Sequence, residues 1–214
     1  MKIAVIGTGT MAKALLQTFY KVYPSDLILA GRDYSRTQKV IDELAPGAKA
    51  LTMDEAVQEA DIIIPTLWFA DIVPWVKSNR EILAGKILID ITNPFNDQYD
   101  DFTISRETSS AEEIQKLIPE TKVVGAFKNT YWVVFDQPIL QGLKSDVYVT
   151  SDSEEALQRV MTLLKPLPFR ILKAGKLKNN RTIERMTLLA REISINAGNY
   201  PRIAFNLWGL EHAL

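Results

Sequence analysis

Short, unbroken apolar runs recur along the chain at residues 3–6, 27–30, 62–64, 87–89, 123–126 and 147–150. Such runs, rich in Ile and Val and without polar alternation, suit parallel strands covered on both faces. Between them, apolar residues return every three to four positions over 11–22, 35–44, 54–60 and 153–164, which predicts amphipathic helices. Helix starts are marked as well. Ser35 precedes a helical pattern, and Thr52 and Ser153 are positioned as N-caps. Thr52 completes a capping box with Glu55, whereas Ser153 is followed three residues on by Ala156. Pro24 and Pro46-Gly47 punctuate helix ends. Alternating strands and helices imply right-handed βαβ units and hence an α/β fold with a doubly wound, mostly parallel sheet.

Two stretches depart from that rhythm. Residues 93–110 are polar and rich in Asp, Thr and Ser, as expected of an irregular loop at a site. From Arg181 onward the pattern is mostly helical, with apolar Ile183, Met186, Leu189, Ile193 and Ile195 suited to packing on the sheet or on a second subunit. The expected organisation is one domain over 1–214, with an α/β core over about 1–175 and a small C-terminal helical extension over about 176–214. The apolar segment from Ala204 to Trp208 favours a homodimer.

Composition narrows the chemistry. The formal net charge is -1, so no strong positive field invites nucleic acid. With no cysteine and one histidine, His212, disulfides, thiolate catalysis and a His-rich metal site are excluded. The longest apolar stretch, 62–76, is broken by Pro65, Asp71 and Pro74, so no membrane segment is expected. No targeting segment is visible, and a cytoplasmic protein is the expectation.

Gly7-Thr8-Gly9-Thr10-Met11-Ala12 is a G-x-G-x-x-A element lying between the first strand and the first helix. That context makes it a dinucleotide fingerprint and the fold Rossmann-type. Gly7 allows the tight turn, Gly9 admits a pyrophosphate, and Ala12 lets the helix lie close to the strand. At the end of the second strand a site for NAD carries an acidic residue. Here Gly31 closes the strand and Arg32, Ser35 and Arg36 follow, a set suited to a 2′-phosphate, so NADP(H) is the expected cofactor. Asp33 would repel that phosphate and is expected to point away or to pair with an arginine.

The chain resembles the coenzyme F420-dependent NADP oxidoreductases, within a wider group of NADPH-dependent F420-, flavin- and ferric-reductase-like proteins. The resemblance rests on Gly7 to Met11, on Gly31-Arg32 with Arg36, on Thr66-Leu67 followed by an aromatic, and on Asn93-Pro94. It continues through residues 109–114, 122–127 and Ala174-Gly175-Lys176-Leu177 to Arg181. It implies hydride transfer between nicotinamide C4 and a stacked acceptor ring, F420 or a flavin. It implies that Thr66, Leu67, Trp68, Phe69, Asn93 and Pro94 line the path from adenosine to nicotinamide, with Ala126 beneath the ring. The sequence departs from the family pattern on the expected acceptor side. Asp71 and Lys128 stand where the family has histidines, and Lys173 to Leu177 replaces an acidic-Ala-Gly-Pro-Leu motif.

Transfer between flat rings needs alignment and exclusion of water rather than a nucleophile. Lys128, Asn129 and Thr130, just past the fifth of the long runs, are the candidate catalytic residues, placed where open α/β sheets bind ligands. Trp68, Phe69, Trp75, Tyr131, Trp132 and Phe135 gather near the same edge, with packing favoured for Trp75 and Phe135. The basic run Arg170, Lys173, Lys176, Lys178 and Arg181 would attract an anionic acceptor or lie solvated. Two other functions stay open: reduction of a small imine or carbonyl compound with Lys128 or Tyr131 as proton donor, and a non-enzymatic sensor of NADP(H).

Overall fold

In a computed structural model, which describes residues 1–210, every long apolar run forms a strand. His212 and the other residues of 211–214 lie outside the described part. The elements are β1 (Ile3–Ile6), α1 (Thr10–Tyr20), β2 (Leu27–Ala30), α2 (Tyr34–Leu44), β3 (Lys49–Leu51), α3 (Met53–Glu59), β4 (Ile62–Pro65), α4 (Phe69–Ser78), α5 (Arg80–Leu83) and β5 (Ile87–Asp90). There follow α6 (Ser110–Leu117), β6 (Lys122–Gly125), the hairpin β7 (Ile139–Leu140) and β8 (Leu143–Lys144), β9 (Asp146–Ser151), α7 (Glu154–Leu164), β10 (Arg170–Lys173) and α8 (Asn180–Asn196). The eight-stranded sheet has the order β10-β9-β6-β5-β4-β1-β2-β3. Its β3-to-β6 portion is the doubly wound Rossmann order, which splits between β1 and β4.

Because strand side chains alternate faces, each run feeds two cores. Ile3, Val5, Leu29, Ile64 and Ile89 pack with Leu15, Phe19, Ile41 and Val160 from α1, α2 and α7. Ala4, Ile6, Ile28, Ile63 and Leu88 pack with Val57, Ile72 and Ile114 from α3, α4 and α6. Burial on both faces explains why these strands read as continuous apolar runs.

Three details correct the sequence reading. The run at 147–150 is part of β9, which pairs antiparallel with β6 (Val124 opposite Ser151) rather than parallel. No helix crosses between β6 and β9. The chain turns through Trp132–Val134 and the β7–β8 hairpin and returns reversed, as a connection without a crossover does. β9, α7 and β10 then form a parallel unit of their own. At α2 the cap is Asp33, not Ser35: its carboxylate accepts the Arg36 amide at 3.0 Å. Thr52 with Glu55 does form a capping box, and Ser153 caps α7. Finally, the C-terminal extension is helical only to Asn196. Residues 197–210 run irregularly, and the Phe205 carbonyl accepts the Asp146 amide at the start of β9 (2.9 Å).

Among the described residues no helix is long and apolar enough to cross a membrane, and no cluster of His, Cys, Asp or Glu could hold a metal ion.

The contact between β6, β9 and α8 leaves no room at Gly125, where a Cβ would sit 2.6 Å from Thr150 Oγ1 and 2.7 Å from Asn180 Nδ2. We predict that Gly125→Ala loses about 1–3 kcal/mol of stability in urea unfolding; an unchanged midpoint would contradict this packing.

Candidate active site

The split between β1 and β4 opens a crevice at the carboxyl ends of the strands, and the glycine turn sits in it. Gly7 has φ +121°, and a Cβ there would lie 2.3 Å from Thr66 Oγ1, so an L side chain is excluded by both backbone and neighbour. Thr66 Oγ1 donates to the Ile6 carbonyl (2.8 Å), which locks the ends of β1 and β4 together. Gly9 is the N-cap of α1. It has no capping side chain, the first turn of α1 carries no acid, and nothing lies within 4 Å of where its Cβ would be. The amides of Thr10, Met11 and Ala12 therefore open onto clear space at the positive end of a helix, a place that suits a phosphate.

At the end of β2, a Cβ on Gly31 would meet Thr8 and Thr37 at 2.9 Å. Arg32, Ser35 and Arg36 are exposed beyond it. The capping role of Asp33 turns its charge onto the start of α2. Arg32 and Arg36 make no ion pair among the described residues and face solvent beside the glycine turn.

A cavity of about 420 Å³ continues from Gly9 across the ends of β4, β5 and β6 to α8. Trp68 and Tyr99, with ring centroids 6.0 Å apart and edge to face, stand at one side. Tyr131 and Tyr200, 6.1 Å apart and also edge to face, stand at the other, and the Tyr131 hydroxyl donates to the Thr187 carbonyl (2.8 Å). Among the described residues the lining contains no Asp, Glu or His. It does contain four buried polar atoms without any partner: Thr92 Oγ1, Asn93 Oδ1, Thr130 Oγ1 and Arg191 Nε. Each such atom costs about 1–3 kcal/mol when left unpaired. All four belong to residues that line this one space, so its wall holds polar groups with bonds still to make.

Beneath the cavity lies a buried ion cluster. Lys128 Nζ donates to Asp90 Oδ2 (2.5 Å), the Thr92 carbonyl (2.6 Å) and Ser110 Oγ (2.6 Å), and pairs with Glu184 Oε1 (2.9 Å). The turn that aims it there passes through Phe127, whose φ of +54° is unusual for a bulky residue. Burial alone would lower the lysine's pKa, but the two carboxylates outweigh it and hold the ammonium charged above its ordinary range. For Glu184, burial is the largest influence, and with Asp90 it pushes the carboxyl up despite Lys128.

The chain has relatives among known proteins. The profile described as NADP oxidoreductase coenzyme F420-dependent matches residues 2–94. The chain is 30% identical over 225 residues to the F420-dependent NADP reductase of Methanothermobacter marburgensis, covering 95% of this chain and 96% of that one. It is 29% identical over 217 residues to the enzyme of the same name from Methanocaldococcus jannaschii, covering 91% and 93%. The chain belongs to the F420-dependent NADP oxidoreductase family. It is accordingly an NADP-dependent oxidoreductase. A crystal structure from an Arthrobacter species, described as an F420-dependent NADP reductase, shares its fold with a TM-score of 0.80 at 23% identity over 92% of this chain and 95% of that one.

Within this family member, the residues singled out from sequence fall into groups. Gly9, Thr10, Met11, Thr66, Leu67, Trp68 and Asn93 line the cavity, as do Lys128, Asn129, Thr130, Tyr131 and Trp132. Ala126 and Pro94 are buried behind the lining, and Phe69 opens α4 and packs on the second core. Of the three catalytic candidates, Lys128 directs its ammonium into the ion cluster and away from the cavity. Asn129 is spent on the Asp146 carbonyl (2.7 Å). Thr130 belongs to the lining, and its hydroxyl is buried with no partner. Phe135 is core, stacked among Phe127 and Phe169, and Trp75 packs on the second core. The basic run is largely neutralised: Arg170 pairs with Asp146, Lys173 with Glu154 and Arg181 with Glu112.

Sequence reasoning missed Thr92, Thr187, Arg191 and Tyr200 of the lining, and Asp90, Ser110 and Glu184 of the cluster. Two signals were present. Asp90 ends an otherwise apolar strand, and Glu184 sits between Ile183 and Thr187 on the buried face of α8.

Removing the ammonium strands two buried carboxylates, which costs about 3–5 kcal/mol. We therefore predict such a loss for Lys128→Met at pH 8 in urea unfolding. The sign with pH follows from Glu184. A carboxyl raised in the folded state favours folding below the ordinary carboxylate range and loses that contribution as pH rises through its folded value. Without Lys128 it rises further, so the deficit of the variant shrinks at pH 5. A deficit independent of pH would contradict the assignment.

Proposed function

We propose that the protein transfers a hydride between NADP(H) and a flavin-like acceptor of the deazaflavin F420 type. The observation that carries this reading is the cavity: aromatic walls, four residues with an unpartnered polar atom and, among the described residues, no acidic or imidazole group, continuous with an open glycine turn. When bound, NADPH supplies the hydride from C4 of its nicotinamide. The chain supplies position and dryness, and a flavin-like ring carries the resulting charge in its own π-system, so no proton shuttle is needed.

In this reading Gly7, Thr8, Gly9, Thr10, Met11 and Ala12 hold the pyrophosphate, and Gly31, Arg32, Ser35 and Arg36 the 2′-phosphorylated ribose. Thr66, Leu67, Trp68, Phe69, Asn93 and Pro94 carry the dinucleotide toward Ala126, beneath the nicotinamide. Thr130, in the lining, would lie beside the bound rings, with Lys128 and Asn129 fixing the segment that carries it. An imine or carbonyl substrate fits less well. Lys128 Nζ is committed to the ion cluster, the Tyr131 hydroxyl donates to the Thr187 carbonyl, and burial pushes Tyr131 up to about 12. A cationic iminium would also meet Arg191 with no carboxylate to balance it.

The same reading makes the chain one functional unit over 1–214, acting in the cytoplasm as a homodimer. Leu189 (63% exposed) and Ile193 (52% exposed) lie one turn apart on α8, and Trp208 is 78% exposed; these are the surfaces a second copy would cover. Gel filtration is expected to give twice the chain mass, and a monomer would end the dimer assignment.

The functional test follows NADPH absorbance against F420, FMN, FAD, riboflavin and a ferric chelate with flavin. Oxidation with F420 exceeding the others is expected; oxidation with none would overturn the proposal. For the cofactor, Arg32→Ala should lower the preference for NADPH over NADH roughly 10–100-fold, the worth of a charged hydrogen-bonding partner. An unchanged preference would contradict the 2′-phosphate site.

A further inference from the structure

The cavity wall contributed by α8 carries a cation that the cofactor reading does not use. Arg191 lines the cavity, its Nε is buried without a partner, and its guanidinium lies 5.7 Å from the centre of the Tyr200 ring. Tyr200 is braced edge to face by Tyr131, and Tyr131 is hydrogen-bonded to the Thr187 carbonyl one turn before Arg191. The guanidinium therefore rests against one ring that a second ring braces, and it has no carboxylate partner among the described residues. The other cation in the lining, Lys128, is neutralised by Asp90 and Glu184. Among the described residues, Arg191 is the cavity's cation without a carboxylate partner, and neither Arg32 nor Arg36 belongs to the lining.

We propose that Arg191 is a catalytic residue that binds the acceptor ring at its carbonyl edge and stabilises the negative charge that hydride transfer creates there. This rests on the reading of the cavity as the site of a flavin-like acceptor. In the step itself, the C4–H bond of the dihydronicotinamide breaks and a C–H bond forms on the acceptor. The electron pair enters the acceptor ring and settles on its dione portion, and a proton from solvent arrives later. Nicotinamide becomes cationic as the acceptor becomes anionic. A fixed guanidinium beside the dione lowers the energy of that second charge, and it costs no reorganisation at the moment of transfer. A planar donor fork matches the in-plane oxygens of a dione better than a lysine ammonium does. The same charge disfavours acceptors that begin as cations, and so sets the acceptor class as well as the rate.

The experiment compares the protein with Arg191→Gln and Arg191→Lys. F420 binding is measured by fluorescence titration, NADPH binding separately, and transfer by single-turnover absorbance at several pH values. Arg191→Gln is expected to slow transfer to F420 about 100-fold, in the range of losing one charge-stabilising donor. NADPH affinity should stay within about twofold, and Arg191→Lys should recover part of the rate. The ionisation of bound reduced F420, read from its absorbance, should move to higher pH in Arg191→Gln. Native-like transfer and an unmoved ionisation in Arg191→Gln would overturn the proposal while leaving the F420 reading intact. Equal loss in Arg191→Lys and Arg191→Gln together with weakened NADPH binding would mark a packing role and would also overturn it. If the unaltered protein neither binds nor reduces F420, the reading beneath the proposal fails and the proposal falls with it.

Discussion

The site hangs from one buried ammonium. Lys128 Nζ joins the end of β5 through Asp90, the following segment through the Thr92 carbonyl, the start of α6 through Ser110, and α8 through Glu184. Three stretches remote in sequence, 90–92, 110 and 184, thus meet at one lysine, and the first and last of them lead into cavity-lining residues. A buried cation with two carboxylates tolerates little displacement, because each group left unpaired is desolvated without return. The cluster therefore fixes where α8 crosses the strand ends, and with it Thr187 and Arg191. Lys128 is thereby committed to structure, while Thr130, Tyr131 and Trp132 just after it belong to the cavity lining.

The dinucleotide half follows from a simpler constraint. Thr66 lies so close to Gly7 that only a glycine fits, and just beyond the paired ends of β1 and β4 the amino end of α1 is left open. Asp33 shows how the local sequence protects this half. A carboxylate that would repel a phosphate is consumed in capping α2, while the two arginines beside it stay free.

Much of this was legible in the sequence, for physical reasons that can be named. Strands buried on both faces must be apolar throughout, so all six long runs were visible, and the glycine turn and its arginines could be read from spacing alone. The short edge strand β3 and the half-covered β10 lack that signature, because an edge strand need not be apolar on both sides. The reversal of β9 was hidden, since direction depends on how the chain returns and not on the strand's own residues. α4 was obscured by Pro74, which the helix accommodates at the loss of one backbone bond. Within the site, Lys128, Asn129 and Thr130 were recognised as a group, but their separate roles depended on the turn at Phe127. Arg191 was invisible because one arginine on a helix has no pattern until Tyr200 folds back over it.

The account reduces to a claim about one hydrogen, and isotopic labelling tests it directly. NADPH deuterated at nicotinamide C4 would be mixed with the protein and oxidised F420 in ordinary water, and the reduced product analysed by mass spectrometry and NMR. Direct transfer places deuterium on a carbon of the reduced deazaflavin ring, where water does not wash it out. Reduced F420 carrying only solvent hydrogen would mean that the two rings never meet in the cavity, and would contradict the account at its centre.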